Sequence, residues 1–277
     1  MDEVLYNVTG RVAHITLNRP ARMNAINLNM PRLISTFVEK ANLDSQVHII
    51  LLSGAGAGFC AGYDLKEFAE AAGPNAGVQA MPWDPMVDFG VMGAATAHFM
   101  SLWRSLKPVV CKVRKCAVAG GSDIALCCDI VIMEDDAVIG YPPARVWGCP
   151  TTAMWVYRIG AERAKRLMLT GDVISGKEAA RIGLVCESHP AADLDAQVDA
   201  LLDRMAGVPK NQLIMHKLVI NKAIENMGLA ATQTLATLMD GIARHTPEGI
   251  AFKQRCEEVG FKRAVAERDT SAFFSRL

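Results

Sequence analysis

The sequence predicts an α/β protein: a parallel sheet built from strand-to-helix crossovers, followed by an all-helical C-terminal region. Three observations carry that expectation. Strand-like apolar runs at 12–17, 47–52 and 107–113 alternate with segments of helical periodicity. Two of those runs pass through small residues directly into a helix start, at 53–67 and at 119–129. Beyond residue 185 only helical patterns remain, with few glycines.

Residues 4–8 and 12–17 alternate around Thr9-Gly10 and read as a hairpin, and Pro20 stops its second strand. In 30–43, Leu33, Ile34, Phe37, Val38 and Ala41 recur at helical spacing, so an amphipathic helix lies beside the sheet. Residues 47–52 form a strand, and the small-residue stretch 53–62 leads toward a helix start at 63–67. Residues 72–85, with two glycines, Pro82 and Pro85, read as a loop of the length that often serves function. Residues 86–105 are helical, with Met92, Phe99, Leu102 and Leu106 on or near one face. The run 107–113 is a buried strand whose connection ends in Gly120-Gly121 at the start of an apolar helix. Strands at 129–134 and 137–140 come next, then helices at 193–205, 211–227, 230–244 and 247–268.

A chain of 277 residues with 51% hydrophobic and 21% charged residues can bury a sizeable core, which excludes disorder as its general description. Its 29 basic and 29 acidic residues balance, so neither nucleic acid nor an anionic membrane surface is an expected partner. Eight cysteines without a Cys-x-x-Cys pair read as small buried thiols, Cys127 and Cys128 among them. The opening Met-Asp-Glu is unlike a signal peptide, and no apolar run approaches a membrane span; a cytoplasmic protein is expected. No spacing of histidines and carboxylates suggests a metal, and Gly54-Ala55-Gly56-Ala57-Gly58 does not have dinucleotide-binding spacing.

The chemistry concentrates at the two glycine-rich connections. The first N–H groups of a helix lack partners inside it, and adjacent glycines let another molecule come close. Such a place can hold an oxygen carrying negative charge, and when that charge develops on a reacting carbonyl the geometry is half of an oxyanion hole. Two such units in one chain can each contribute one N–H to a shared site. Asp123 sits in the first turn of the second helix.

Phe59-Cys60-Ala61-Gly62-Tyr63-Asp64-Leu65 with the Gly120-Gly121 helix start resembles the paired signatures of the crotonase (enoyl-CoA hydratase/isomerase) family. Asn18 through Ala25, which includes Arg22, is similar to the family's entry motif against the CoA moiety. Leu169-Thr170-Gly171-Asp172 and the stretch 179–185 resemble the segment after the family's catalytic core. The resemblance implies a spiral of repeated ββα units over residues 1–190 holding an acyl-CoA site. It also implies a helical region, 191–277, that builds a homotrimer or a hexamer of two trimers and helps cover CoA. The implied activity is enoyl-CoA hydratase, with a double-bond isomerase or another enolate-forming member of the family, or a non-catalytic acyl-CoA binder, as alternatives. CoA would enter as part of the substrate, with no separate cofactor.

Carried over by motif, the oxyanion donors are the N–H groups of Tyr63 and Gly120. Ala61, Asp64 and Leu65 fall at substrate-binding positions, and His98, Met100 and Trp103 at the acyl-pocket wall. Phe252 with Arg255 is the matching aromatic and basic pair for the adenine and 3′-phosphate. Family hydratases use two glutamates; here the first position is Asp123, one methylene shorter, and the second is Pro143. Three readings stay open: Asp123 handles the proton alone while Tyr141 or backbone groups help hold water, Arg145 binds a carboxylate or polar acyl group, or the chain binds without much catalysis. Arg114-Lys115 stands where the family has a glycine-containing turn, Ala119 replaces the first of three glycines, and Lys112 adds a third basic residue beside Arg114 and Lys115. These basic residues form a solvated turn or touch CoA phosphates, and a positive φ at Lys115 would strain the turn.

Overall fold

The computed structural model describes residues 2–270. β1 (Val4–Thr9) and β2 (Val12–Leu17) form the expected antiparallel hairpin, and α1 (Met30–Leu43) crosses to β3 (Ile49–Gly54). After a long loop come α2 (Pro85–Arg104), β4 (Val109–Val113), β5 (Cys116–Val118) and α3 (Gly120–Leu126). β6 (Ile130–Glu134), β7 (Val138–Gly140), α4 (Met154–Thr170), β8 (Val173–Ser175), α5 (Gly176–Arg181) and β9 (Glu187–His189) complete the α/β part. Five helices close the described chain: α6 (Leu194–Ala206), α7 (Lys210–Asn226), α8 (Leu229–His245), α9 (Pro247–Val259) and α10 (Phe261–Asp269).

The main sheet has the order β1-β2-β3-β4-β6-β9 and is parallel from β2 onward. A smaller sheet, β5-β7-β8, stands beside it. In β3, Ile50 and Leu52 point into the large core with α1, α2 and α3, while Ile49 and Leu51 pack on Leu194, Val198 and Leu202 of α6. This two-sided burial is why the strand reads as an unbroken apolar run, a signature of parallel sheets covered on both faces.

Three expectations change. Residues after 185 are not purely helical: β9 adds a sheet-edge strand, and Glu187-Ser188-His189 has no apolar alternation to announce it. The predicted helix 247–268 is two helices, broken at Gly260, whose φ of 80° only glycine adopts readily. The stretch after residue 63 forms a single wide turn, Lys66–Glu70, not a lasting helix.

α7 is fastened to the α/β part through Lys217. Its Nζ donates to Asp129 Oδ2 at 2.7 Å and to the carbonyls of Leu102 and Lys107. Burial lowers the pKa of this lysine, and the Asp129 charge opposes that shift. Lys217→Met leaves Asp129 largely buried without its counter-charge, which is expected to cost about 3 kcal/mol. The midpoint of urea unfolding measures it; an unchanged midpoint would show that the pair holds nothing.

Candidate active site

The two connections meet at their backbones. Cys60 N–H donates to Cys116 O at 3.0 Å, Val118 N–H donates to Cys60 O at 3.2 Å, and Ala61 N–H donates to Met23 O. On the other side Ile26 N–H donates to Gly62 O at 2.8 Å, and Asp64 N–H to Ile26 O. The 60–64 segment is thereby pinned between residues 23–26 and β5. A Cβ on Gly121 would lie 2.4 Å from Cys60 O, and one on Gly62 only 2.8 Å from the Ala119 Cβ and 3.5 Å from Gly120 N. A Cβ on Gly120 would lie 3.0 Å from the Tyr63 ring. Only glycine permits this approach. Among the hydrogen bonds of the described residues, the N–H groups of Tyr63 and Gly120 have no backbone acceptor.

The turn leading in is strained as expected at Lys115 (φ 56°), and Ala119, directly before Gly120, adds φ 52°. Lys112 and Arg114 pair with Asp195, and Arg114 also with Glu134, so these bases cross-link the fold.

Both connections open on a cavity of about 780 Å³. Ala61, Tyr63, Leu65, His98, Gly120, Asp123 and Tyr141 line it, together with Pro143, where no carboxylate is present. Asp123 is 3% exposed and accepts a short hydrogen bond from the Thr152 hydroxyl. Burial raises its pKa to about 7, the nearby Asp240 adds to the rise, and the Thr152 hydrogen bond opposes it. Burial and the charges of Asp123 and Asp240 push the phenols of Tyr63 and Tyr141 upward, so both stay protonated near neutral pH. His98 Nδ1 is 2.8 Å from the Ser35 hydroxyl.

Several sequence candidates lie elsewhere. Asp64 pairs with Arg19 at 3.0 Å and accepts from Lys66 N–H; it braces the loop and does not line the cavity. Arg145 is held by Thr170 O, Asp172 and Asp269, so its fork is already occupied by the fold. Phe252 is fully buried against Trp147, with the Arg268 guanidinium over its ring, and Arg255 pairs with Glu258 and Glu267. Neither Phe252 nor Arg255 reaches the cavity. Met100 and Trp103 are core residues outside its wall. Arg22 is exposed on the turn Pro20–Arg22.

Sequence reading missed Asp240 and Arg244 of α8, both buried and both lining the cavity. Asp240 Oδ1 accepts from Cys149 N–H at 2.9 Å, and Oδ2 accepts a short bond from Arg244. The sequence signal pointed the other way: apolar periodicity would turn Leu235 and Met239 inward, whereas the buried face of α8 carries the polar series Gln233, Thr237, Asp240 and Arg244 at helical spacing. Gln233 in turn donates to Thr152 O, the residue that holds Asp123.

Residues 7–251 match the sequence profile of the enoyl-CoA hydratase/isomerase family. The chain belongs to this family, also called the crotonase family. The family acts on acyl-CoA substrates. A "probable enoyl-CoA hydratase" of Mycobacterium leprae is 30% identical over 232 residues, 81% of this chain and 83% of that protein. The crystal structure of an enoyl-CoA hydratase from Mycobacterium smegmatis is 49% identical, with a TM-score of 0.92 over 98% of this chain and 94% of that one. An enoyl-CoA hydratase/isomerase from Xanthobacter autotrophicus is 27% identical, with a TM-score of 0.88 over 98% of both chains. These likenesses establish the crotonase fold with its helical C-terminal region. Among the described residues, no helix is long and apolar enough to cross a membrane.

The raised pKa of Asp123 makes stability depend on pH. The folded chain binds this proton more tightly than the unfolded chain, whose value is 3.8. The burial cost is therefore absent below that pH, grows between there and about 7, and is complete above it. Asp123→Asn is expected to stabilise the protein by a few kcal/mol at alkaline pH and hardly at acidic pH, read from urea unfolding at both. Equal effects at the two ends would place the Asp123 titration elsewhere. Arg145→Ala is expected to leave KM for an acyl-CoA within about twofold, because among the described residues its guanidinium is held by Thr170, Asp172 and Asp269; a large rise in KM would return it to the substrate.

Proposed function

We propose that the protein adds water to 2-enoyl-CoA thioesters. In this reading the thioester oxygen is received by the N–H groups of Tyr63 and Gly120, and Asp123 transfers the proton at the acyl α-carbon. The observation that carries it is a buried carboxyl, poised near neutrality, in a cavity also lined by Tyr63 and Gly120, whose N–H groups have no backbone acceptor among the described residues. A proton donor with pKa near the working pH is both available and able to give its proton up. Each backbone donor aimed at the developing oxyanion is worth roughly 3 kcal/mol of barrier. Because the donors are amides, Tyr63 is chosen for its place in the loop, and its ring serves as pocket wall against Phe68.

CoA enters this scheme as part of the substrate, with Ala61 and Leu65 at the wall and exposed Arg22 available to its phosphates. The exposed Met215, Leu218, Val219 and Ile220 of α7 support a homo-oligomer, the trimer or hexamer implied by the sequence. A second reading, conversion of 3-enoyl-CoA to 2-enoyl-CoA, is favoured by Pro143, which leaves Asp123 as the one carboxyl of the sequence motifs at the cavity. There Asp123 would take a proton from the α-carbon and return it to the γ-carbon.

Turnover of crotonyl-CoA and of a longer 2-enoyl-CoA, followed by loss of the enoyl-thioester absorbance, tests the proposal with Asp123→Asn alongside. A fall in kcat of about a thousandfold in the variant is expected. Hydration that survives the substitution, or a wild-type protein that turns over neither hydration nor isomerisation substrates, would sink it.

A further inference from the structure

We propose that Asp240, delivered by α8, is the second carboxylate of the reaction centre and receives the proton of the water that adds to the acyl β-carbon. The inference deepens the hydratase reading and rests on it. Asp240 and Asp123 lie on separate helices, both are 3% exposed, and both line the same cavity. Pro143 Cβ, the Tyr141 hydroxyl and Asp240 Oδ1 lie 3.0, 3.3 and 3.5 Å from one point, the place a Cβ on Gly148 would occupy. The α8 carboxylate thus stands near Pro143 and near the Tyr141 phenol, and all three line the cavity.

Arg244 fixes that carboxylate at the wall. It is 6% exposed and lines the cavity. Its Nη1 binds Asp240, and its Nη2 lies 3.7 Å from Asp88 Oδ1, so the guanidinium stands between two carboxylates and holds Asp240 in place beside the cavity.

The two carboxyls have different surroundings, which separates their tasks. Burial raises the pKa of both; at Asp123 only the neutral Thr152 opposes that rise, whereas at Asp240 the Arg244 charge and the Cys149 N–H oppose it. Groups facing Asp240 are Asp88 from α2, Arg244 from its own helix, Cys149 and Tyr141 from the 141–149 segment, Tyr63 from the 60–64 segment, and Asp123 from α3. His245 lies one layer out, against Asp88 and Trp83. In this division of tasks Asp240, paired with the Arg244 guanidinium, serves as base, and Asp123, held by the Thr152 hydroxyl, serves as acid. In the step, water oxygen bonds to the β-carbon as its proton passes to Asp240. The double-bond electrons move into the thioester enolate, and the α-carbon then takes the proton of Asp123. A proton passes back from Asp240 to Asp123 through solvent, which restores both.

The test separates this step from the rest of the site. Wild type, Asp123→Asn and Asp240→Asn are compared in hydration of crotonyl-CoA and in conversion of 3-butenoyl-CoA to crotonyl-CoA, which needs no water. Asp240→Asn is expected to lower kcat for hydration by about a hundredfold or more, with KM little changed. The 3-butenoyl conversion is expected to stay within about tenfold and still to be lost in Asp123→Asn. Adding Pro143→Glu to Asp240→Asn puts a carboxylate back at the same wall and is expected to recover hydration at least about tenfold. Should Asp240→Asn fail to fold, Asp240→Glu keeps the charge opposite Arg244 and is read for the same selective loss. Hydration unchanged in a folded variant, or both reactions lost in equal measure, overturns the role of Asp240 and leaves the hydratase reading intact. A wild-type protein inactive on both substrates overturns the reading itself.

Discussion

The contact between the 60–64 segment and the start of α3 is the constraint that shapes the site. Two loops from different crossover units approach until their backbones touch, with Gly121 over the Cys60 carbonyl and Gly62 over Ala119. The ladder through Cys60, Cys116 and Val118 locks that approach in register. Beside that contact, Tyr63 and Gly120 line the cavity, and among the described residues their N–H groups have no backbone acceptor. Strain at Lys115 and Ala119 accompanies this arrangement, as is common where a backbone is held for chemistry instead of stability.

Around this backbone frame the polar groups are layered. Asp123 is held by Thr152, and Thr152 is held by Gln233 of α8. The same helix brings Asp240 and Arg244 to the cavity wall, tied to Asp88 of α2. The C-terminal region is therefore more than a cover: its inward face is a polar stripe that sets the charge around the carboxyl in the first turn of α3. Low dielectric strengthens each of these contacts and makes each unpaired group costly, so such a network persists where it is satisfied or where a ligand completes it.

Most of the candidates that did not reach the cavity were claimed by the fold. Arg145, Asp64 and Arg255 each found a fold partner of opposite charge, and Phe252 a place in a satellite core. Charged side chains of this kind look alike in sequence whether they meet a substrate or a neighbouring helix. Spacing within a helix gives the face they occupy, but not what stands opposite.

The crossover order, the hairpin, the unbroken apolar run of β3 and the two glycine connections with Asp123 in the first turn of α3 were all legible in the amino-acid order. They rest on local rules: apolar periodicity, the permissiveness of glycine, and the open N–H groups of a helix start. Other features came from long-range packing. It placed β9 at the sheet edge by backbone pairing alone, and it chose which arginines became braces. Above all it turned the polar face of α8 inward and left Leu235 and Met239 exposed. Periodicity alone would bury the apolar face. The opposite orientation is stable because the polar stripe finds partners far along the chain, Asp88 of α2 for Arg244 and Thr152, 81 residues away, for Gln233. No local pattern encodes pairings of that separation.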